Sequence, residues 1–161
     1  MKIIEREIPD ATVQTLVQSG INPLLARLYV ARGVQSCDEL DTGLVKLLPP
    51  SGLKGIQEAA RVLADAIAQQ QRICIVADYD CDGATACAVG VRGLRMLGAH
   101  HVTYEVPDRI NDGYGLSAPI ARRVHAQGHE LLLTVDNGIG SLDGVAEAMK
   151  LGLTAVVTDH H

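Results

Sequence analysis

Four short apolar runs, separated by stretches of helical periodicity, fix most of what residues 72–161 can become. The runs are RICIVA (72–77), HVTYEV (101–106), ELLLTV (130–135) and TAVVT (154–158). Between them, ATACAVGVRGLRMLG (84–98), SAPIARRVHAQG (117–128) and SLDGVAEAMKLG (141–152) carry helix-like spacing. Strands alternating with helices predict an α/β fold: a parallel sheet of at least four strands, linked by right-handed crossovers, with helices on both faces. RICIVA is apolar and β-branched throughout its core, as a strand buried on both faces requires. In such a sheet ligands gather at the carboxyl ends of the strands. Each predicted strand delivers polar residues there, in turn DYDCDG, PDR, DNG and DHH.

The residues before this repeat read differently. Residues 11–42 carry short helical patterns. In NPLLARLYVARGV, Leu24, Leu25, Leu28 and Val30 are helically spaced, Asn22 is a candidate N-cap and Pro23 takes the first helical position. LLPPSGLKG is punctuated as a loop, and IQEAARVLADAIAQQ (56–70) as an amphipathic helix. These patterns predict a short helical leader over residues 1–55 and an α/β domain over 56–161.

Composition narrows the function classes. A chain of 161 residues, 47% hydrophobic and 20% charged, suits a soluble globular fold with one sizeable core. No apolar run approaches the roughly 18 residues of a membrane span. The opening MKIIEREIPD lacks the apolar core of a signal peptide. The cysteines at 37, 74, 81 and 87 have no C-x-x-C spacing, which argues against structural zinc, and they read as reduced thiols in a cytoplasm. There is no Trp or Phe, and the four Tyr are scattered, leaving few platforms for stacking bases. The net charge of −5 opposes nucleic-acid binding at first sight. Yet Asp78, Asp80, Asp82, Asp136 and Asp159 all fall in the strand-end motifs, and without these five the rest of the chain is formally neutral. The acidity belongs to one place, where cations would offset it.

DYDCDG (78–83) spaces three carboxylates at alternate positions, so that Asp80 and Asp82 on an extended or turning backbone converge on a cation. The D-x-D-x-D-G pattern also matches the first half of a calcium loop, but the twelfth position is Val89 instead of a bidentate Glu and a strand, not a helix, precedes it. A plain turn would crowd three like charges without return. VDNGIG (135–140) suits a tight strand-to-helix turn; beside DYDCDG on one sheet edge, Asp136 becomes a carboxylate bridge between two cations. TDHH (158–161) adds Asp159, His160 and His161, and mixed carboxylate and imidazole ligands suit Mn²⁺, with Mg²⁺ or Zn²⁺ as alternatives. Two histidines after a native-looking strand make a poor tag. In VPDRINDGYGL (106–116), Arg109 either grips a phosphate with its planar fork or forms a surface ion pair with Asp108 or Asp112; the sequence leaves both open. Gly113 and Gly115 mark that loop as mobile or tightly turned.

Taken in order, DYDCDG, VPDR…DGYGL, VDNGI and TDHH resemble the motif series of the DHH phosphoesterase superfamily. The leader, through PLLARLYVARGV…DEL and LLPP, is similar to the N-terminal region of that superfamily's single-strand-specific 5′→3′ exonucleases, so the resemblance covers essentially the whole chain. Cys81 stands where the family often has Ala.

The resemblance implies two divalent cations, Mn²⁺ or Mg²⁺. Asp80 would bind one, Asp82 and His160 the other, and Asp136 would bridge both. His161 would contact the scissile phosphate, with Arg109 assisting, while Asp78 and Asp159 orient ligands or bind at the margin. The implied reaction is hydrolysis of single-stranded DNA from its 5′ end to 5′-mononucleotides, in recombination and repair. The implied functional partners are a single-strand-binding protein and a RecQ-type helicase. Rival readings are a DHH phosphodiesterase for cyclic dinucleotides, nanoRNA or polyphosphate, and a non-catalytic binding module. Family members continue past the DHH motif with a further metal-binding Asp, a second lobe and an OB-fold, so this chain reads as a catalytic-core portion cut after the motif. Residues 1–161 alone are therefore expected to show little or no nuclease activity. Robust Mn²⁺-dependent degradation of 5′-labelled single strands by the purified chain would refute this.

Overall fold

The computed structural model describes residues 6–161. The reading of MKIIEREIPD falls in part on residues 1–5, outside the described residues. The chain divides into two compact units, Met1–Gly52 and Leu53–His161. In the first, helices α1 (Asp10–Gln18) and α2 (Pro23–Val30) bury Val13, Leu16, Ala26 and Val30 in a small apolar cluster. Asn22 caps α2 by accepting the Leu24 amide at 2.9 Å, and Pro23 sits at the first helical position, where no N–H is needed. Single 3₁₀ turns follow at Cys37–Leu40, Leu44–Lys46 and Pro50–Gly52.

The second unit runs α3 (Ile56–Ala68), β1 (Ile73–Ala77), α4 (Cys81–Met96), β2 (Val102–Glu105), α5 (Ala118–Ala126), β3 (Leu131–Val135), α6 (Leu142–Lys150) and β4 (Thr154–Thr158). All four strands are parallel, in the order β2-β1-β3-β4. The central pair, β1 and β3, is buried along its whole length, whereas the outer strands expose part of each face. Ile73, Ile75, Leu131 and Leu133 pack on one face against Ala66 of α3 and Cys87 and Leu94 of α4. Cys74, Val76 and Leu132 pack on the other face against Ile120 and Val124 of α5 and Ala148 of α6. Right-handed crossovers demand this split. The chain steps from β1 to β2 in one direction and from β3 to β4 in the other, so the two connections must cross opposite faces. The strand order reverses between β1 and β3, and the ends of these two strands form the crevice where such folds bind ligands.

One boundary differs from the sequence expectation and matters for the site. Helix α4 begins at Cys81, three residues before the start of its apolar periodicity, because Asp80 caps it: Asp80 Oδ1 accepts the Gly83 amide at 2.9 Å. DYDCDG is thus half loop and half helix, and the extended backbone that would bring Asp82 beside Asp80 does not form. Gly83 makes the close fit possible. A Cβ there would lie 2.5 Å from the Asp78 carbonyl oxygen and 2.6 Å from Asp78 Cβ, so α4 rests directly on the backbone of the β1 end. Among the described residues no helix is long and apolar enough to cross a membrane, and all four cysteines are free thiols.

These contacts make two glycines of the same helix behave oppositely. Gly83→Ala is expected to cost about 1–3 kcal/mol of unfolding free energy by overpacking. Gly93→Ala, where a Cβ meets nothing within 4 Å, is expected to be neutral or stabilising by up to about 1 kcal/mol. Urea unfolding of both variants checks the pair.

Candidate metal centre

Strand register assembles the site. Ala77 pairs with Val135, and Val135 with Thr158. Asp78, Asp136 and Asp159, one residue beyond each, therefore stand side by side at roughly the 4.8 Å spacing of neighbouring strands. Asp78 and Asp136 are buried. Asp78, Asp80 and Asp136 offer carboxylate oxygens within 4.8 Å of one another, and Asp136, His160 and His161 offer a second such group. Asp136 belongs to both. Its backbone is itself unusual, with φ +61°, left-handed for a residue that has a Cβ. The turn around it is held from both sides. The Asp136 amide donates to Thr158 O at 3.1 Å, and Asn137 Nδ2 donates to Val76 O at 3.1 Å and Val135 O at 2.9 Å. Gly138 follows at φ +124°, where a Cβ would fall 2.6 Å from Thr134 Oγ1. The Asp-Asn-Gly triplet is thus a turn in which each residue type has a separate job.

The remaining predicted residues take distinct places. His160 Nε2 lies 2.8 Å from Asp136 Oδ1, and the His160 and His161 rings stack with centroids 4.6 Å apart. Asp159 lies outside both ligand groups, and both its oxygens are engaged in hydrogen bonds. Oδ2 accepts the Ile139 amide at 2.9 Å; Oδ1 accepts the His160 amide at 2.7 Å and meets His161 Nδ1 at 2.7 Å. Burial opposes ionisation of Asp159, but the amide of Ile139 and the ring and amide of His161 outweigh it and hold its pKa at about 2. The same contact with Asp159 raises the His161 pKa above the ordinary imidazole value. Asp82, in the first turn of α4, is exposed and lies outside both groups, while Asp78 stands with Asp80 and Asp136.

Arg109 sits on the loop after β2, where neither Asp108 nor Asp112 forms an ion pair with it. Asp108 Oδ1 is taken by the amides of Ile110 and Asn111, at 2.9 and 2.8 Å. Asp112 is taken by Arg123. Among the described residues no carboxylate pairs with Arg109; its guanidinium lies 5.3 Å from the centroid of the Tyr79 ring. The loop is turned, with both Gly113 and Gly115 at positive φ.

Sequence reasoning missed the aromatic wall. Tyr79 and Tyr114, scattered in the chain, meet edge to face with centroids 6.3 Å apart, and Tyr114 makes a similar contact with His161. The Tyr114 hydroxyl reaches Asp136 O at 3.4 Å. Burial and the charges of Asp78, Asp159, Asp136 and Asp80 raise its phenol pKa. The available signal was position: each tyrosine directly follows or lies within a strand-end motif. Together these side chains line a cleft of about 520 Å³ with Asp78, Asp80, Asp159 and His161 on its floor. Buried carboxylates gathered with two imidazoles make a donor set for hard or borderline divalent cations, and a shared carboxylate is what a two-ion site requires.

The chain's relationships agree with this geometry. The model of the DHH family, N-terminal domain, matches residues 72–161. The single-stranded-DNA-specific exonuclease RecJ of Dickeya dadantii is 47% identical over 161 residues, covering 100% of this chain and 28% of that protein. A crystal structure of exonuclease RecJ bound to manganese superposes with a TM-score of 0.64 at 41% identity, covering 71% of this chain and 29% of that one. RecJ of Thermus thermophilus in complex with Mn²⁺ gives a TM-score of 0.61 at 34% identity, over 98% of this chain and 22% of the other. The chain spans about a quarter of the length of the curated relatives it matches. With the family's motifs in place on a sheet of this topology, the chain belongs to the DHH family.

Proposed function

We propose that this chain supplies the metal-binding half of the active site of a RecJ-type exonuclease, which hydrolyses single-stranded DNA from the 5′ end to 5′-mononucleotides with two divalent cations, Mn²⁺ or Mg²⁺. The observation that carries the reading is Asp136, one carboxylate common to two three-residue ligand groups. Asp78 and Asp80 complete one ion's set and His160 and His161 the other's. Asp82 and Asp159 act from the margin, Asp159 by holding the DHH backbone and Asp82 by adding negative charge at the cleft. Divalent cations held by these residues would supply an acidified water for attack on phosphorus and would stabilise charge on the phosphoryl group. Arg109, with no carboxylate partner, directs its fork at a non-bridging phosphate oxygen. His161, beside His160 and Asp136, would contact the scissile phosphate where it does not complete that ion's set.

Net charge of −5 fits this division of labour, since the acids concentrate where cations bind and strand-gripping surfaces lie elsewhere. Recombination and repair in the cytoplasm, beside a single-strand-binding protein and a RecQ-type helicase, follow as the setting for such an enzyme.

Cation titration tests the ligand assignment. Asp136→Ala is expected to weaken binding of both Mn²⁺ ions, and Asp80→Ala chiefly one, with affinity losses of at least tenfold read by calorimetry. Unchanged affinity in both variants would remove the assignment.

Activity tests the substrate. In the polypeptide at the full length of its reading frame, 5′-labelled single strands are expected to be degraded far faster than dinucleotides or cyclic dinucleotides. Arg109→Ala should lose roughly 100-fold in kcat/KM, the usual cost of removing one electrostatic clamp. Preference for dinucleotides would instead place the enzyme among the small-substrate phosphodiesterases.

A further inference from the structure

Arg123 lies on α5, away from the carboxylates and imidazoles of the metal centre, yet every one of its guanidinium nitrogens is engaged. Nε donates to Glu105 Oε1 at 2.5 Å, at the end of β2. Nη1 and Nη2 donate to Asp112 Oδ1 and Oδ2 at 3.2 and 2.9 Å, a two-pronged pair on the loop that follows. Asp112 in turn accepts the Asp108 amide through Oδ2 at 2.9 Å, and Asp108 folds the backbone back by accepting the amides of Ile110 and Asn111. Arg109 is carried inside this closed set of bonds. The polar chain therefore runs from α5 through Arg123 and Asp112 to the backbone on both sides of Arg109.

We propose that Arg123 is a positioning residue for phosphate binding, acting through Asp112 to hold the 106–116 loop in the shape that presents Arg109 to the substrate; this rests on the reading of Arg109 as the phosphate clamp. Three features support it. Pro107 and Leu116 anchor the loop's ends in the protein, but its tip has little packing of its own: Asp108, Arg109, Ile110 and Asn111 are all exposed. The strut is partly withdrawn from water, with the Asp112 and Glu105 side chains 11% and 20% exposed and Arg123 at 38%. Its charges are mutually stabilised, the Arg123 fork lowering the Asp112 carboxyl pKa and Asp112 raising that of Arg123. The fork also explains why a lysine would not serve equally: a single ammonium cannot make two parallel bonds to Asp112 while holding Glu105. By pairing with Asp112, Arg123 further removes the one loop carboxylate, besides Asp108, that could capture Arg109.

The test is a double-mutant cycle in the full-length polypeptide, with kcat/KM on 5′-labelled single strands and Mn²⁺ affinity measured for each variant. Arg123→Ala is expected to lower kcat/KM about tenfold with Mn²⁺ affinity unchanged. Arg123→Lys should fall between Arg123→Ala and the parent. The variant carrying both Arg109→Ala and Arg123→Ala should be no worse than Arg109→Ala alone, because Arg123 has nothing left to position. A further tenfold loss in the double variant, a parallel loss of Mn²⁺ affinity, or parent-like activity of Arg123→Ala would each overturn the proposal. So would an Arg109→Ala variant with full activity, which removes the clamp itself.

Hydrogen exchange separates this inference from the nuclease reading, since it needs no turnover. In Arg123→Ala the amides of Asp108, Ile110 and Asn111 should exchange at least tenfold faster, while those of β1 and β3 keep their protection. Unchanged exchange at those three amides would overturn the proposal even in a fully active enzyme. If the parent polypeptide proves inactive on single strands, the substrate reading fails and the exchange result alone decides whether Arg123 holds the loop.

Discussion

Like charges brought together at one end of a sheet are the constraint around which this fold is arranged. Asp78, Asp80 and Asp136 place oxygens within 4.8 Å of one another. At an effective dielectric of about 20, each unit-charge pair at that distance repels by roughly 3–4 kcal/mol. A fold stable only by about 5–15 kcal/mol cannot carry several such pairs without compensation. The compensation visible in the protein is backbone. Asp78 accepts the Tyr79 amide at 2.7 Å, and Asp80 accepts the Gly83 amide at the positive end of α4. Those bonds fix where the carboxylates are, but they do not cancel three charges. Cations bound there would supply the missing compensation, a physical reason for the acidity to be gathered in one place.

What could be read from the chain beforehand follows the reach of each signal. The alternation of apolar runs and helical periods identifies β1, β3 and the two-sided core, because burial on both faces leaves a continuous mark in five consecutive residues. The start of α4 was harder to place. Its first turn, Cys81, Asp82 and Gly83, holds no apolar residue to carry a period beyond the cysteine, and its true signal is the N-cap of Asp80 with a glycine three positions on. The helix leaves Asp82 exposed on its first turn, while Asp78 at the end of β1 lies beside Asp80 and Asp136. The tyrosine wall was illegible for a different reason. Tyr79 and Tyr114 come from the ends of different strands, and only the β2-β1-β3-β4 order brings those ends together. That Arg109 makes no ion pair was illegible too: Arg123 takes Asp112 and backbone amides take Asp108 Oδ1, a matter of hydrogen-bond accounting that no spacing rule contains.

The carboxylate turn at Asp136 and the loop that carries Arg109 are held by different physics. On the carboxylate side, Asp136 is clamped by strand register, by Asn137 reaching across to Val76, and by a glycine that no other residue could replace. These constraints are backbone-based and leave little freedom. On the Arg109 side the loop is exposed and depends on side-chain bonds to Asp108 and Asp112. Metal ligation tolerates errors of only a few tenths of an ångström, a demand that backbone-held carboxylates meet. The Arg109 loop is held by side-chain bonds instead, and the Arg109 guanidinium lies 5.3 Å from the centroid of the Tyr79 ring.

The three residues of the DHH motif divide their work along the same lines. Asp159 spends both oxygens on the Ile139 amide and on the amides and ring that follow it. Its carboxylate therefore sets direction more than it offers ligation. By tying the end of β4 to the β3–α6 loop at Ile139, it turns the backbone so that both imidazoles face Asp136. His160 reaches that carboxylate directly, and His161, stacked on it, is steadied by Asp159 on one edge and Tyr114 on another. An aspartate that fixes the turn, followed by two adjacent rings on the same side, resolves an apparent difficulty of adjacent residues in an extended strand, which point to opposite faces. The motif lies just past the strand because only there can two neighbours converge on one carboxylate.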